Sequence, residues 1–173
     1  MTADAEFYIK GRRLLRKPYH LRGVGLPNVY LLNGVTLEDD PDYGTLVSIE
    51  DIPGLYRAIG LHIVTKPAAM TGPELRFLRK ELKLTQEALA HRLRVNVQTV
   101  ANYEKGKTAM GAAETAVRAL YAFHLLPPEA GASAVRSLAG AIVDACQEFR
   151  LTEQTQRQIS GAWREADKGR AAA

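Results

Sequence analysis

The chain has 173 residues, of which 46% are hydrophobic, and it carries a formal net charge of +4. This length suits one or two small domains with a core, and the mild positive charge is compatible with nucleic-acid binding without requiring it. No run of residues reaches the length of a membrane span, the N-terminus lacks an apolar signal core, and the single cysteine, Cys146, excludes an internal disulfide. We therefore expect a cytoplasmic protein without membrane contact.

The first 17 residues form a net-basic segment, with five cations between Lys10 and Lys17. Terminal segments of this composition are commonly disordered, and their cations add phosphate contacts when a protein binds nucleic acid. We therefore predict a basic N-terminal arm over residues 1–17.

Residues 18–67 are predicted to form a separate small module built from a β-hairpin and a helix. Four short runs are strand-like: Tyr19–Arg22, Val29–Leu32, Val35–Leu37 and Thr45–Ile49. Asn33-Gly34 lies between two of them and is a strong hairpin-turn signal when apolar residues flank it. Ile52–Ile63 follows with amphipathic spacing and a proline near its start, and Thr65-Lys66-Pro67 forms a linker.

An acidic stretch lies inside this module, since residues 38–51 contain six acidic side chains and no basic one. Such a stretch repels DNA or binds a basic partner, although it most often forms a solvated loop. Its densest part, Asp39-Asp40-Pro41-Asp42, lacks the ligand spacing of a calcium loop and is predicted to be an exposed turn.

Residues 85–106 carry the most informative pattern in the chain, which predicts a helix, a tight turn and a second helix. Thr85 has the side chain of an N-cap. The apolar residues of the first helix recur at near-helical spacing and form its buried face: Ala88, Leu89 and Leu93. Arg94-Val95-Asn96 then breaks the pattern, and Asn96 is suited to cap the helix that follows.

The second helix is predicted to have one apolar and one polar face. Its apolar face consists of Val97, Val100 and Ala101, and Lys105-Gly106-Lys107 ends the helix with a glycine and two cations. Its polar face carries short hydroxyl and amide side chains of the kind that pairs with base edges in a major groove: Gln98, Thr99 and Asn102. We assign base reading to these three residues.

This segment resembles the xenobiotic-response-element (Cro/CI-like) family of DNA-binding domains. The resemblance rests on Leu84–Ala90 and on the ending Tyr103-Glu104-Lys105-Gly106, and it covers about residues 70–126. It implies a five-helix DNA-binding bundle in which the helix from Val97 is the recognition helix and Gln86 contacts a phosphate. The full set of residues assigned to phosphate contacts is Gln86, Arg94, Asn96, Lys105 and Lys107.

The neighbouring sequence supplies further helices for such a bundle. Pro73–Leu82 and residues 111–126 both repeat apolar residues at helical spacing. Eight Lys or Arg stand against three Glu between Arg76 and Lys107, which suits a nucleic-acid-binding face. The alternative is an antiparallel helix pair with a solvated polar face and no role in DNA binding. The additional helices favour DNA binding.

The order of the predicted elements, from β-hairpin, strand and helix to linker and helix-turn-helix, is similar to that of MqsA-type antitoxins. Those antitoxins hold zinc with four cysteines in the N-terminal part, whereas this chain has no cysteine before Cys146. We therefore expect no structural zinc, and a toxin partner stays an alternative.

The sequence contains no catalytic or metal-binding motif. The four histidines are scattered without metal-ligand spacing: His20, His62, His91 and His124. The GxGxxG, P-loop, GxSxG and HExxH motifs are absent. We therefore predict neither an enzyme nor a cofactor or metal site.

Residues 130–168 are predicted to form a C-terminal helical hairpin. An apolar stripe of about five turns runs along its first helix: Val135, Leu138, Ala139, Ile142, Cys146 and Phe149. The second helix extends to about Ala166, with Ile159 and Trp163 as apolar anchors. The predicted bundle closes its own core, so we assign the stripe to homodimerisation, with packing on its own bundle as the alternative. The residues assigned to the dimer contact are Val135, Leu138, Ile142 and Phe149.

The predicted fold class is mainly α with a small N-terminal α+β module, and the helix-turn-helix bundle is followed by the C-terminal helical hairpin. The predicted function is a sequence-specific DNA-binding transcriptional regulator, a homodimeric bacterial or phage repressor that binds a palindromic operator in double-stranded DNA within the nucleoid. Two alternatives stay open. One is an antitoxin that also binds a toxin, and the other is a protein-interaction scaffold whose helix-turn-helix has lost DNA binding.

Overall fold

The computed structural model describes residues 4–126 and 159–166. The chain divides into two compact units, one of residues 1–58 with 153–173 and the other of residues 59–152. Five α-helices and six strands occupy the described residues. The mainly helical prediction is therefore confirmed in part, because the strands make up more than a minor module.

The elements follow one another as strands first, helices next and one further strand at the end. The strands are β1 Ala5–Ile9, β2 Tyr19–His20, β3 Val29–Leu31, β4 Val35–Asp40, β5 Gly44–Ile49 and β6 Trp163–Glu165. The helices are α1 Ile52–Thr65, α2 Gly72–Glu81, α3 Gln86–Leu93, α4 Val97–Glu104 and α5 Ala112–Leu125. Helices α2 to α5 lie in the range of the predicted DNA-binding bundle, and α1 precedes it.

Strand β1 lies inside a four-stranded mixed sheet whose order is β2-β3-β1-β6. It pairs in parallel with β3 and antiparallel with β6. Alternate side chains of β1 are buried, namely Ala5, Phe7 and Ile9, as expected for a strand with one face on a core. The predicted arm over residues 1–17 is therefore wrong for residues 5–9, because the cations that follow them mask the two-residue period.

Asn33-Gly34 does not form the predicted hairpin turn, because β3 and β4 belong to different sheets. Asn33 is buried, and its side chain accepts the Ile9 N–H at 2.6 Å and donates to the carbonyls of Ile9 at 3.0 Å and Arg12 at 3.2 Å. Gly34 has a φ of 70°, and a Cβ there would lie 2.8 Å from the side chains of Ile9 and Trp163. Both residues therefore make contacts between segments that are distant in the sequence.

The hairpin of this unit joins β4 to β5, which form a separate two-stranded sheet. Its turn is residues 41–43, which follow Asp39 and Asp40 at the end of β4, and the Asp40 carboxylate accepts the backbone N–H groups of Asp42 and Tyr43 at 2.8 and 2.9 Å. An aspartate that accepts from the backbone two residues ahead is typical of tight turns. The predicted exposed turn is therefore confirmed for Pro41 and Asp42, whereas Asp39 and Asp40 end β4.

The end of the described chain contradicts the predicted C-terminal hairpin after Ser160, where its second helix is expected to continue to about Ala166. Helical structure ends at Ser160, a turn follows, and Trp163 begins β6. The Trp163 side chain is fully buried, and its Nε1–H donates to the Glu50 carbonyl at 2.9 Å. The prediction is wrong here because a strand of three residues is too short to show a two-residue period. The proposed dimer stripe, Val135 to Phe149, lies outside the described residues.

In the second unit, the buried Arg118 of α5 holds the end of α1. Its guanidinium donates to four carbonyls between Ile63 and Ala68 at 2.7 to 2.9 Å. It also pairs with Glu114, one turn earlier on α5, at 2.7 Å. The last carbonyls of a helix have no partner within the helix, so this side chain satisfies the end of α1 and the segment that leads to α2.

Candidate nucleic-acid interface

The structure confirms the predicted helix-turn-helix as α3, a turn at residues 94–96 and α4. Thr85 caps α3 by accepting the Ala88 N–H at 3.0 Å, and Asn96 caps α4 by accepting the Gln98 N–H at 2.8 Å. These caps satisfy backbone donors that the helices leave unpaired at their starts. The local sequence therefore sets where both helices begin.

Arg94 closes α3 in the left-handed conformation, with φ 54° and ψ 42°. The Arg94 N–H donates to the His91 carbonyl at 3.3 Å and the Val95 N–H to the Ala90 carbonyl at 3.0 Å, which is the Schellman arrangement. Lys83 takes the same conformation after α2, with a φ of 57°. Glycine is usual at such positions because a Cβ is strained there. Two exposed cations therefore occupy positions that favour glycine.

The inner faces of α3 and α4 supply buried residues to the helix-turn-helix core. Leu89 and Val100 are fully buried, as their helical spacing predicts. Val97 differs, since 41% of it is exposed. The predicted buried face is therefore wrong at Val97, because the first residue of a helix has no preceding turn to cover it.

The last residue of α4, Glu104, is a buried acid at the centre of a hydrogen-bonded cluster. Its carboxylate accepts from Arg79 Nε at 2.5 Å, from Gln86 Nε2 at 2.9 Å and from Arg76 Nε at 3.2 Å. Helix α2 comes so close at this point that a Cβ on Gly72 would overlap the Glu104 carbonyl. This Glu104 cluster ties the end of α4 to α2 and to the start of α3, and it thereby fixes the orientation of α4.

The electrostatics of the cluster keep Glu104 ionised. Burial by itself raises the pKa of Glu104, but the hydrogen bonds from Arg79, Gln86 and Arg76, together with the charge of Arg79, outweigh burial. The pKa therefore lies below the usual value for a glutamate. In the sequence, Glu104 stands out only as part of the family ending Tyr103-Glu104-Lys105-Gly106. The signal that reveals its burial is its position one turn after the buried Val100, where an apolar residue is expected.

The outward face of α4 carries the three residues assigned to base reading. Gln98 is exposed, and Thr99 and Asn102 are half-buried. Gln98 Nε2 donates to Asn102 Oδ1, one turn further along the helix, at 3.2 Å. This face therefore presents a coupled pair of amides that retain donors and acceptors for base edges.

The five residues assigned to phosphate contacts lie in different environments. Arg94, Asn96, Lys105 and Lys107 are exposed, and Asn96 uses its side-chain oxygen for the α4 cap. Gln86 is half-buried and donates to Glu104. Within the protein Gln86 therefore braces the end of α4, and one amide N–H is left for a further acceptor.

Residues 75–111 match the protein-family model described as helix-turn-helix. The match runs from α2 through α4 and so includes the reading face and the donors of the Glu104 cluster. The chain contains a helix-turn-helix domain of the XRE (Cro/CI-like) family. The XRE domain gives the chain the general function of a DNA-binding transcriptional regulator. No curated protein and no solved structure matches the chain significantly.

The described residues lack two further kinds of site. No three His, Cys, Asp or Glu side chains come together there in an arrangement that would hold a metal ion. None of the helices α1 to α5 has both the length and the apolar character that crossing a membrane requires.

Proposed function

We propose that this chain is a sequence-specific repressor that acts as a homodimer on a palindromic operator. The observation that carries the proposal is the combination of the outward amide pair on α4 with the buried Glu104 cluster. A site that reads hydrogen-bonding groups needs side chains held in position by rigid surroundings. The cluster provides this rigidity from inside the XRE domain, and Gln98 and Asn102 provide the reading groups on its surface.

The charges of the domain support DNA as the partner. Lys83, Arg92 and Arg94 are exposed, as are the two lysines after α4. The carboxylate of Glu104 is only 1% exposed and is paired with arginines, so it contributes little repulsion at the surface. Each cation that contacts a phosphate releases counterions and adds affinity for any sequence.

The mechanism needs two copies of the domain. One recognition helix contacts too few base pairs to select an operator among the competing sites of a genome. In a dimer, two α4 helices enter successive major grooves about 34 Å apart on a palindrome. A dimer bound over a promoter excludes RNA polymerase, which makes the chain a repressor.

The first experiment is a gel shift on the DNA immediately upstream of the chain's own gene. Gln98→Ala or Asn102→Ala should each weaken operator binding by about 1–3 kcal/mol while changing binding to random DNA much less. Thr115→Ala, at an exposed position on α5, is the matched control. Unchanged operator affinity in both variants would move the reading face elsewhere. Absence of DNA binding by the wild type would favour the scaffold alternative.

The second experiment tests the dimer contact, which we place at the apolar stripe of Val135, Leu138, Ile142 and Phe149. Leu138→Glu or Ile142→Glu would put an unpaired carboxylate into an apolar contact, which is strongly unfavourable. Both variants should sediment as monomers and lose operator binding. Gln147→Glu, at a position of the same predicted helix outside the apolar stripe, should remain dimeric. A wild type that is monomeric at micromolar concentration, free and on DNA, contradicts the dimer.

An antitoxin that also binds a toxin is the second candidate, and the β4–β5 hairpin is the observation that favours it. Leu37 and Val47 face each other across the two strands and are 53% and 43% exposed. Tyr43 at the turn is 81% exposed, and the surrounding charges are acidic. Exposed apolar residues within an acidic surface fit a basic protein partner.

Co-expression with the product of an adjacent gene tests this second candidate. If that product arrests growth, the wild type should relieve the arrest, and Leu37→Ser with Val47→Ser should relieve it less while operator binding is kept. An adjacent product without toxicity, or relief that does not depend on the hairpin, speaks against an antitoxin that uses this surface.

A further inference from the structure

Val97 is an exposed apolar residue at the first position of the recognition helix. It belongs to neither the buried core nor a capping contact, and 41% of it is exposed. A valine is also a poorer helix former than an alanine, because its branched side chain loses rotamer freedom. Neither complete burial nor helix propensity therefore favours valine at this position, and its exposed part is available for an external contact.

The side-chain amides near Val97 indicate which bases lie next to this contact. Gln98 gives one N–H to Asn102 Oδ1 and keeps its other N–H and its carbonyl. These two groups are the adjacent donor and acceptor that pair with N7 and N6 of an adenine. Asn102 already accepts one hydrogen bond and keeps both of its N–H groups. Gln98 is therefore suited to read adenine, whereas Asn102 is suited to donate to a neighbouring acceptor.

We propose that Val97 is a specificity-determining residue that contacts the C5-methyl group of a thymine within about one base pair of the adenine read by Gln98. The proposal rests on the function proposed above and assigns part of its operator: each half-site contains this thymine. Val97 directly precedes Gln98 at the start of α4, so the two side chains reach base pairs close to each other. In the major groove the thymine methyl group is the one apolar group that distinguishes the four base pairs, and an isopropyl group excludes water from it.

The experiment begins with the full-length protein and a pool of randomised duplex DNA, from which the preferred site is selected. Each thymine of the selected site is then replaced in turn by deoxyuridine, which removes only the C5-methyl group. For the wild type, one position in each half-site should weaken binding by about fourfold, the loss expected for one buried methyl group.

Three variants assign this effect to a residue. Val97→Ala should bind the thymine and deoxyuridine sites with equal affinity, and it should fold normally because alanine favours the helix. Val97→Ile, which keeps a branched apolar side chain, should still discriminate. Phe123→Ala removes an apolar side chain that is 55% exposed on α5 and should leave discrimination unchanged. Gln98→Ala should lose the adenine preference while it keeps sensitivity to the methyl group.

The outcomes separate this inference from the proposed function. A selected site whose thymines all tolerate deoxyuridine overturns the inference while the regulator stands, and so does a selected site without thymine. Discrimination that persists in Val97→Ala also overturns it. A wild type that selects no sequence at all overturns the proposed function, and the inference falls with it.

Discussion

The helix-turn-helix domain and the N-terminal sheet are each stabilised by internal hydrogen bonds. The residues joined by these bonds are close in sequence in the domain and far apart in the sheet. In the domain, the caps that begin α3 and α4 join residues two or three positions apart. In the sheet unit, β1 pairs with β6 at the other end of the chain, and Trp163 donates to Glu50 over 113 positions. The two units are therefore vulnerable at different places, because the sheet depends on the short strand β6 near the end of the chain.

The largest expected effect is in the sheet unit. Trp163→Ala should lower the free energy of unfolding by about 3–5 kcal/mol, the usual cost of emptying a large buried aromatic site. It also removes the donor to the Glu50 carbonyl. Chemical denaturation followed by circular dichroism measures this loss, and Trp163→Phe, which keeps an aromatic ring, should lose less. DNA binding through α4 should persist at temperatures where the variant is folded. A cost below about 1 kcal/mol, as for a surface substitution, would contradict the role assigned to β6.

The next effect is smaller and lies at the Glu104 cluster, a long-range contact that orients α4. Glu104→Gln keeps the shape of the side chain but removes the charge that pairs with Arg79, and it should lower stability by about 1.5–3 kcal/mol. Operator affinity should fall as well, because α4 loses its anchor. Glu87→Gln, at an exposed position on α3, is the control. Equal stability of the two variants would show that local caps alone define the domain.

The pH dependence of stability tests the ionisation of Glu104. The pKa of Glu104 is held below its usual value by Arg79, Gln86 and Arg76 in spite of burial. Its contribution is therefore fully present above the pKa of an unfolded glutamate, about 4.3, and is lost as the pH falls through the folded pKa. The stability difference between wild type and Glu104→Gln should be constant near neutral pH and shrink below about pH 4. A difference that does not change down to pH 2 would contradict an ionised Glu104.

The smallest effect concerns the two left-handed cations of the domain. Arg94→Gly and Lys83→Gly should each raise stability by about 0.5–1 kcal/mol, because glycine removes the strain of the Cβ but adds entropy to the unfolded chain. Arg94→Ala keeps the strain and should give no gain. If Arg94 contacts a phosphate, Arg94→Gly should also reduce the slope of log affinity against log salt by about one unit. A more stable variant with an unchanged slope would remove Arg94 from the phosphate contacts.

The helices of the helix-turn-helix domain follow from the local sequence. Thr85 and Asn96 act on backbone groups within three residues, and the apolar spacing of α3 and α4 repeats within a few turns, so the positions of these helices follow from local rules. The polar outward residues Gln98, Thr99 and Asn102 follow from the same periodicity. The periodicity did not predict the exposure of Val97, because the first residue of a helix has no preceding turn to bury it.

The strand pairing of the N-terminal unit and the anchoring of α4 depend instead on contacts between segments that are distant in the sequence. Strand β1 pairs with β3 and β6. Asn33-Gly34 has the local sequence of a turn, but these two residues contact Ile9 and Trp163 instead. In the same way, Glu104 is a recognisable family residue in sequence, but its pairing with Arg79 depends on how α2 meets α4. The physical reason is that a cap or a helical period is satisfied by neighbours in sequence, whereas a strand edge or a buried charge is satisfied by whatever the fold brings next to it.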